Sequence, residues 1–534
     1  MTGMSNSAAP ATRASVPTVP GNRSLAILIA CFAAANAYSY VMVAAIPLVQ
    51  SDVWRFMDGF LGDFIEHGFT WSGLLAQANP QDTNLPLQKL FLFFHTHFFG
   101  MDFRLEGLFG VVAGALLVVL LVRKASGMPL RSWQPAECWL LAAVALATLS
   151  LNSTNVYTWP LATLWFVPVL LAAAYFSIAQ ARIDSAIVAF ASTFVLGILL
   201  DEVAFVVFAA AVGALVLARA CRGIAPLRTL LLFGGAGLLL ARIVYLLSAG
   251  AGGAADVQST RSFAPLLSPD IWKTAFIPFS DAIIHMHSQP VLLGTGATAF
   301  AWTTAILSVV AHGWFWWRCI FARGPGSRSY AGATFLAAAL MLFFYGLVLG
   351  VVLQRVPTFG FDYLHQPRYV LFHQLHLAAL AIMFYREYRH AEVRVAWRRA
   401  AAAALVVGIL SFGVLQVRLS TLAWEHVKFL SKYIEGTALT LGRLAADPAA
   451  DIPCSDILTI CEYPPDKRKA MLDMLVRHRL NLFSPQFQAF HRLYPYPPAR
   501  LVPAPTPEAA APGEATEEEL GPESVGSSGS TDAE

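Results

Sequence analysis

The sequence predicts an all-α polytopic membrane protein with about eleven transmembrane helices. Three observations carry this expectation. First, the 534 residues are 57% hydrophobic and only 13% charged, about half the charge of a soluble domain. A chain that apolar lacks the polar residues to cover a soluble core, so lipid is its natural solvent. Second, eleven apolar runs approach the roughly 20 residues that a bilayer crossing needs, at about 25–48, 105–122, 136–151, 160–178, 185–200, 203–218, 229–248, 293–316, 331–353, 369–385 and 400–417. The pair within 185–218 is short enough to be read as a tight helical hairpin. Third, Lys and Arg alternate between loops: fifteen lie in one set, from Arg123 to Arg399, and seven in the other, Arg55, Lys89, Arg104, Arg261, Lys273, Arg355 and Arg368. The basic set belongs in the cytoplasm.

Taken in order, residues 1–24 are a polar, cytoplasmic N-terminal tail, and the run that follows reads as an uncleaved first span, without a small-residue cleavage site. The membrane domain occupies 25–417. Its large outer loops are 50–104 and 249–292. Residues 86–100 place Leu87, Leu90, Phe91, Phe94 and Phe98 near helical spacing, which predicts an interfacial helix in the first outer loop. Residues 418–502 are an extracytoplasmic, helical region, where 466–483 puts Met471, Leu472, Leu475 and Leu480 on one side of an amphipathic helix. Residues 503–534 carry eight acids and no Lys or Arg among Pro, Ala, Gly and Ser, a disordered acidic tail. The net charge of +3 and the lack of any nucleic-acid-binding signature exclude DNA and RNA as partners. No repeat, GxGxxG or P-loop is present.

The chemistry concentrates in the first outer loop. Asp52, Asp58, Asp63, Glu66, Asp82, Asp102 and Glu106 interleave there with Trp54, Trp71 and many Phe. Asp52 leaves the first span at the water–lipid boundary, where a carboxylate can take a proton from an acceptor or hold a metal; a solvated acidic loop is the alternative. Asp102 and Glu106 sit at the return to the membrane and read as structural. Asp201 and Glu202 fall at the turn of the 185–218 hairpin, as a weak metal site or a helix cap. Arg242 lies inside an apolar run, for a lipid phosphate or simple snorkelling. Asn155 and Tyr157, in NSTNVYTW, suit either sugar hydroxyls and stacking or an interfacial aromatic belt. His95 with His97 and His285 with His287 are two apart, so on a helix they diverge; His373 and His376 share a face. Cys31, Cys138, Cys221 and Cys319 lie in or beside apolar runs, whereas Cys454 and Cys461 sit in a polar region and suit a disulfide if that region is extracytoplasmic.

Several short motifs carry a resemblance. They are Asp52-Val53-Trp54, Trp71-Ser72-Gly73-Leu74, Asn79-Pro80-Gln81-Asp82, Gly100-Met101-Asp102-Phe103-Arg104-Leu105-Glu106, Pro367-Arg368-Tyr369 and the HRLNLF stretch at 478–483. Over about 25–490 the chain resembles the GT-C superfamily of membrane glycosyltransferases, in a bacterial branch. The resemblance implies an enzyme that moves a hexosyl or pentosyl group from a polyprenyl-phosphate donor to a glycan or lipid acceptor. It would act at the outer face of the bacterial inner membrane, with the C-terminus in the periplasm. It implies Asp52 as general base, with Asp58 and Asp82 behind it. Arg368, then Arg355 and Arg242, would bind lipid phosphate, and Trp54, Asn79, Asn155, Tyr157 and Tyr369 would bind substrate, with Mg or Mn as an optional cation. The chain departs from the family where an adjacent Glu-His-Arg is replaced by Gln81-Asp82-Thr83-Asn84, and where paired acids reduce to Asp52 with Asp58 six residues on. A transporter or flippase for a lipid-linked or anionic solute, and a non-catalytic envelope-assembly protein, are the alternatives.

Overall fold

The structure, a computed structural model, describes residues 22–75, 86–182, 185–217, 224–249, 262–321, 328–390, 395–452 and 459–493. Among these residues all regular structure is helical. The first span is α1 (Arg23–Ala44). The first loop holds α2 (Asp52–Met57), α3 (Phe60–His67), α4 (Trp71–Leu75) and α5 (Pro86–Phe99). Then come α6 (Phe103–Ser126), α7 (Pro135–Thr148), a short α8 (Asn155–Thr158) and α9 (Phe166–Arg182). The hairpin is α10 (Ala186–Leu200) and α11 (Glu202–Leu217). Next, α12 (Ile224–Thr229) joins α13 (Gly235–Ala249) through a π-helical turn. The loop helices α14 (Ile277–Ile283) and α15 (Gln289–Leu293) precede α16 (Ala297–Ile320) and α17 (Arg328–Gln354). The chain closes with α18 (Val356–Phe359), α19 (Val370–His390), α20 (Val395–Glu425), α21 (Val427–Ala446), α22 (Pro465–Arg477) and α23 (Pro485–His491).

Every one of the eleven apolar runs falls on a helix, but among the described residues seven helices are long and apolar enough to cross a membrane by length and composition. α7, α10 and α11 are apolar but shorter, and α19 interrupts its apolar stretch with His373, Gln374, His376 and Arg386. The hairpin is as tight as expected: Asp201 alone joins α10 to α11, with φ 44°.

Local chemistry sets the helix ends. Asp102 caps α6 by accepting from the Arg104 amide at 3.1 Å, and Gly127 closes it in the left-handed region at φ 67° behind Arg123 and Lys124. Pro135 opens α7 inside a Gln134–Glu137 capping box. Packing then centres on α17, which lies against α19, α11, α6 and α9, while α1 lies against α7 and α6. Gly110 lets α6 touch the turn before α9, since a Cβ there would stand 2.4 Å from the Thr163 carbonyl oxygen. Gly110→Ala should cost roughly 1–3 kcal/mol through overpacking. A drop in thermal midpoint of the detergent-solubilised protein checks it; an unchanged midpoint means that the two segments part freely.

A second core ties the first loop to the C-terminal region. Ile46, Leu48, Val53, Trp54, Leu61 and Phe103 pack with Ile434, Leu441, Met471, Leu472, Leu475 and Leu482. The expected apolar side is present on α22, where Met471, Leu472 and Leu475 are buried, but the helix ends at Arg477, so the buried Leu480 lies beyond it in extended backbone. Asn481 is the pin. Its Nδ2 donates to the Pro47 and Met101 carbonyls at 2.9 and 2.6 Å, its Oδ1 accepts from the Val49 amide at 3.2 Å, and its own amide donates to the Gly100 carbonyl at 2.7 Å. Cys461 is disulfide-bonded, while Cys454, its expected partner, lies outside the described residues.

Helix α5 leaves the face expected to meet the membrane interface open, with Leu87, Leu90 and Phe91 half-buried. Phe94 and Phe98 are exposed, while Lys89, Leu92, His95 and Thr96 are buried. Lys89 donates to the Gly73 carbonyl at 3.0 Å and lies 5.0 Å from the centroid of the Phe60 ring. Burial lowers its pKa from 10.5 to about 8. Between those values the unfolded chain binds the extra proton, so stability rises with pH across that window; below about 8 the buried charge costs roughly 3 kcal/mol. Lys89→Met should raise the thermal midpoint at pH 7 and remove the rise between pH 8 and 10. Equal pH dependence in both proteins rejects this.

At the opposite end of the bundle, basic residues meet the buried Glu137 and the half-buried Glu387. Arg389 approaches Glu137 at 3.6 Å, and Glu387 binds both Arg318 and Arg386.

Candidate functional site

The chain leaves α1 through Pro47 and Leu48, and Ser51 then takes φ 53° with ψ −128°, a strained conformation for a non-glycine residue. Thr459 holds it by donating its hydroxyl proton to the Ser51 carbonyl at 2.7 Å. Strain of this kind is sustained by surrounding structure and gathers at functional sites. It aims the next side chain, Asp52, whose carboxylate is 46% exposed and lies 3.6 Å from Arg55 and 4.0 Å from Arg368. The fold thus brings together the two residues that the sequence nominated for proton acceptance and phosphate binding.

Arg368 sits in a short loop, 361–369, made of two 3-10 turns between α18 and α19. Its guanidinium donates to the Tyr363 hydroxyl and lies over the Tyr363 and Tyr369 rings at 5.8 and 5.5 Å from their centroids. Its Nε is buried with no hydrogen-bond partner. An orphaned buried donor is costly, and an anion in the site would satisfy it. Arg355 is electrostatically coupled to Tyr369, and α8, which carries the exposed Asn155, packs against the Pro367–Tyr369 turn. Asp52, Arg368, Arg355, Tyr369 and Asn155 therefore all belong to elements at this end of the bundle.

Other nominated residues go elsewhere. Asp58 pairs with Lys467 at 2.9 Å. Trp54 and Tyr157 are 0% and 2% exposed, packed in the two cores, so neither offers a ring face to a sugar. Arg242 pairs with Asp201 at 3.1 Å, and Glu202 accepts from Gln354 at 2.8 Å. Asp82 and Asn79 lie outside the described residues. Among the described residues no three His, Cys, Asp or Glu side chains are grouped to hold a metal ion, Asp201 and Glu202 included. Asp102 and Glu106 are structural, as expected: Asp102 meets His491 at 2.7 Å, and Glu106 accepts from the Leu161 amide at 2.8 Å.

Sequence reasoning missed a buried polar group beside this loop. Asp281 of α14 is fully buried, and its Oδ2 lies 2.8 Å from His365 Nδ1. Asn152 braces it, donating to the Asp281 carbonyl at 2.6 Å and accepting from the His285 amide at 2.7 Å. Deeper in, the His376 ring lies 5.3 Å from that of His312, whose Nδ1 is 2.8 Å from the Tyr345 hydroxyl. The sequence shows these groups only as histidines in apolar surroundings, and spacing within one helix does not reveal them, because their partners come from other elements.

A groove between α5 and the start of α9, lined by Leu87, Phe91, Leu161, Leu164, Trp165 and Pro168, gives this end of the bundle an apolar cleft. Against known proteins, no family model, no curated protein and no solved structure matches this chain.

Proposed function

We propose that the protein is a glycosyltransferase of the GT-C type, taking a sugar from a polyprenyl-phosphate donor at the outer face of a bacterial inner membrane. In this reading the eleven helices are eleven spans, with the N-terminus cytoplasmic. The observation that carries the proposal is the approach of Asp52 to Arg368 at 4.0 Å, on the side that charge counting assigns to the outside. Asp52 accepts the acceptor's hydroxyl proton as its oxygen attacks C1 of the sugar. The phosphate leaves with the bonding electrons, and the Arg368 fork meets the charge that develops on it. The groove beside α5 suits a prenyl chain.

The buried histidines favour transport as a second reading, but the polar row does not continue. Between His376 and Arg386 the eight residues 377–384, LAALAIMF, span about 12 Å of helix without a polar side chain. The test of the enzyme reading is transfer by the purified chain in proteoliposomes supplied with labelled polyprenyl-phosphate hexoses and pentoses and a lipid extract. Donor turnover no faster than in empty liposomes across the panel rejects it.

A further inference from the structure

Asp281 and His365 form an oriented carboxylate–imidazole pair that the reaction above leaves unused. The tautomers follow from the partners. His285 Nε2 lies 2.7 Å from the His365 carbonyl, which can only accept, so that nitrogen carries a proton. His285 Nδ1 accepts from the His287 amide at 3.5 Å. Burial holds the His285 imidazole below its ordinary value, so it stays neutral. Its Nε2 is 3.9 Å from Asp281 Oδ2, beyond hydrogen-bond reach. The proton donor on Oδ2 is therefore His365 Nδ1–H. The His365 side chain is 23% exposed, and its Nε2 has no partner among the described residues. A buried carboxylate on one imidazole nitrogen fixes the ring and leaves the other for a ligand. Three residues on, Arg368 carries the orphaned Nε.

We propose that His365 and Arg368 hold one phosphate group together, with Asp281 as the positioning residue for His365. The inference rests on the glycosyl-transfer reading and adds an acid to it. The acceptor proton passes to Asp52 and the acceptor oxygen bonds C1. The C1–O bond to phosphate breaks, and the proton on His365 Nε2 passes to the leaving phosphate oxygen. Water then reprotonates His365 and takes the proton from Asp52. The groups facing His365 are Asp281 and His285 from α14 and the turn after it and His373 from α19; Tyr363 and Arg368 share its loop, as does Asp362, which pairs with Lys273.

The test is binding of farnesyl phosphate to the full chain in detergent, at pH 6 and pH 8.5, comparing each variant with wild type at the same pH. His365→Gln should weaken binding about 10-fold at pH 6 and less than about twofold at pH 8.5, the difference of one charge-assisted hydrogen bond. Asp281→Asn should follow the same profile, because it acts through His365; it decides the matter if His365→Gln is not monodisperse. Arg368→Gln should weaken binding at both pH values. Wild-type binding in both the His365 and Asp281 variants, or equal loss at both pH values, overturns the acid role while leaving Arg368 in place. Wild-type binding by Arg368→Gln overturns the phosphate site itself. Inorganic phosphate binding as tightly as farnesyl phosphate would keep the anion pair and reject the lipid as its source.

Discussion

Asp52→Asn should lower sugar transfer by roughly 10²–10⁴-fold, the range for loss of a positioned general base. The carboxylate is half exposed at the start of a short helix and caps nothing through its side chain. Its removal should therefore leave the fold intact, with an unchanged elution volume and thermal midpoint. Asn keeps the shape and loses the proton-accepting charge. The loss should appear in kcat more than in KM, because the acceptor's proton moves only as the transition state forms. Transfer within a few-fold of wild type, from protein at normal level, would remove Asp52 as the base and leave the chain closer to a non-catalytic envelope protein.

Asn481→Ala should destabilise the protein by roughly 3–5 kcal/mol. Three buried main-chain groups, at Pro47, Val49 and Met101, would lose their side-chain partner at once, and unsatisfied groups cost about 1–3 kcal/mol each. The residue also adopts φ 50°, which Asn tolerates better than Ala. The thermal midpoint should fall by more than about 5 °C, and limited proteolysis should release the C-terminal region sooner. The loss should extend to transfer, because the same region supplies Thr459, which holds Ser51 in its strained conformation before Asp52. Wild-type melting and protease resistance would show that the hydrophobic contacts of α21 and α22 suffice.

Much of the architecture follows from local properties of the chain. Run length and apolar composition place a helix on each of the eleven runs, because a chain in lipid satisfies its backbone most directly within a helix. Charge alternation assigns loops to two ends, and the described loops of the Asp52 set do meet at one end, through Asp52–Arg368, Asn152–Asp281 and Asn481–Val49. The amphipathic pattern of α22 and the turn at Asp201 were legible for the same reason: each depends on residues within one or two helical turns.

The site was legible only as a set of residue types. Asp52 and Arg368 could be nominated separately, since each stands at the mouth of an apolar run. Their meeting depends on how α2 and the 361–369 loop pack, which no local pattern encodes. The same limit explains Trp54 and Tyr157, whose rings look suited to sugars until packing buries them, and Lys89, whose helix turns a charged side chain inward. No pattern within one helix marks Asp281 or His365, because the partner of His365 comes from α14. The sequence by itself determined the all-helical class, the apolar helices that are candidates to cross a membrane, and the end of the bundle where Asp52 lies, because composition, periodicity and charge act over short range. Tertiary structure alone decided which carboxylate meets which cation, because pairings such as Asp201–Arg242 and Asp58–Lys467 join residues 41 and 409 positions apart and arise from the packing of the whole bundle.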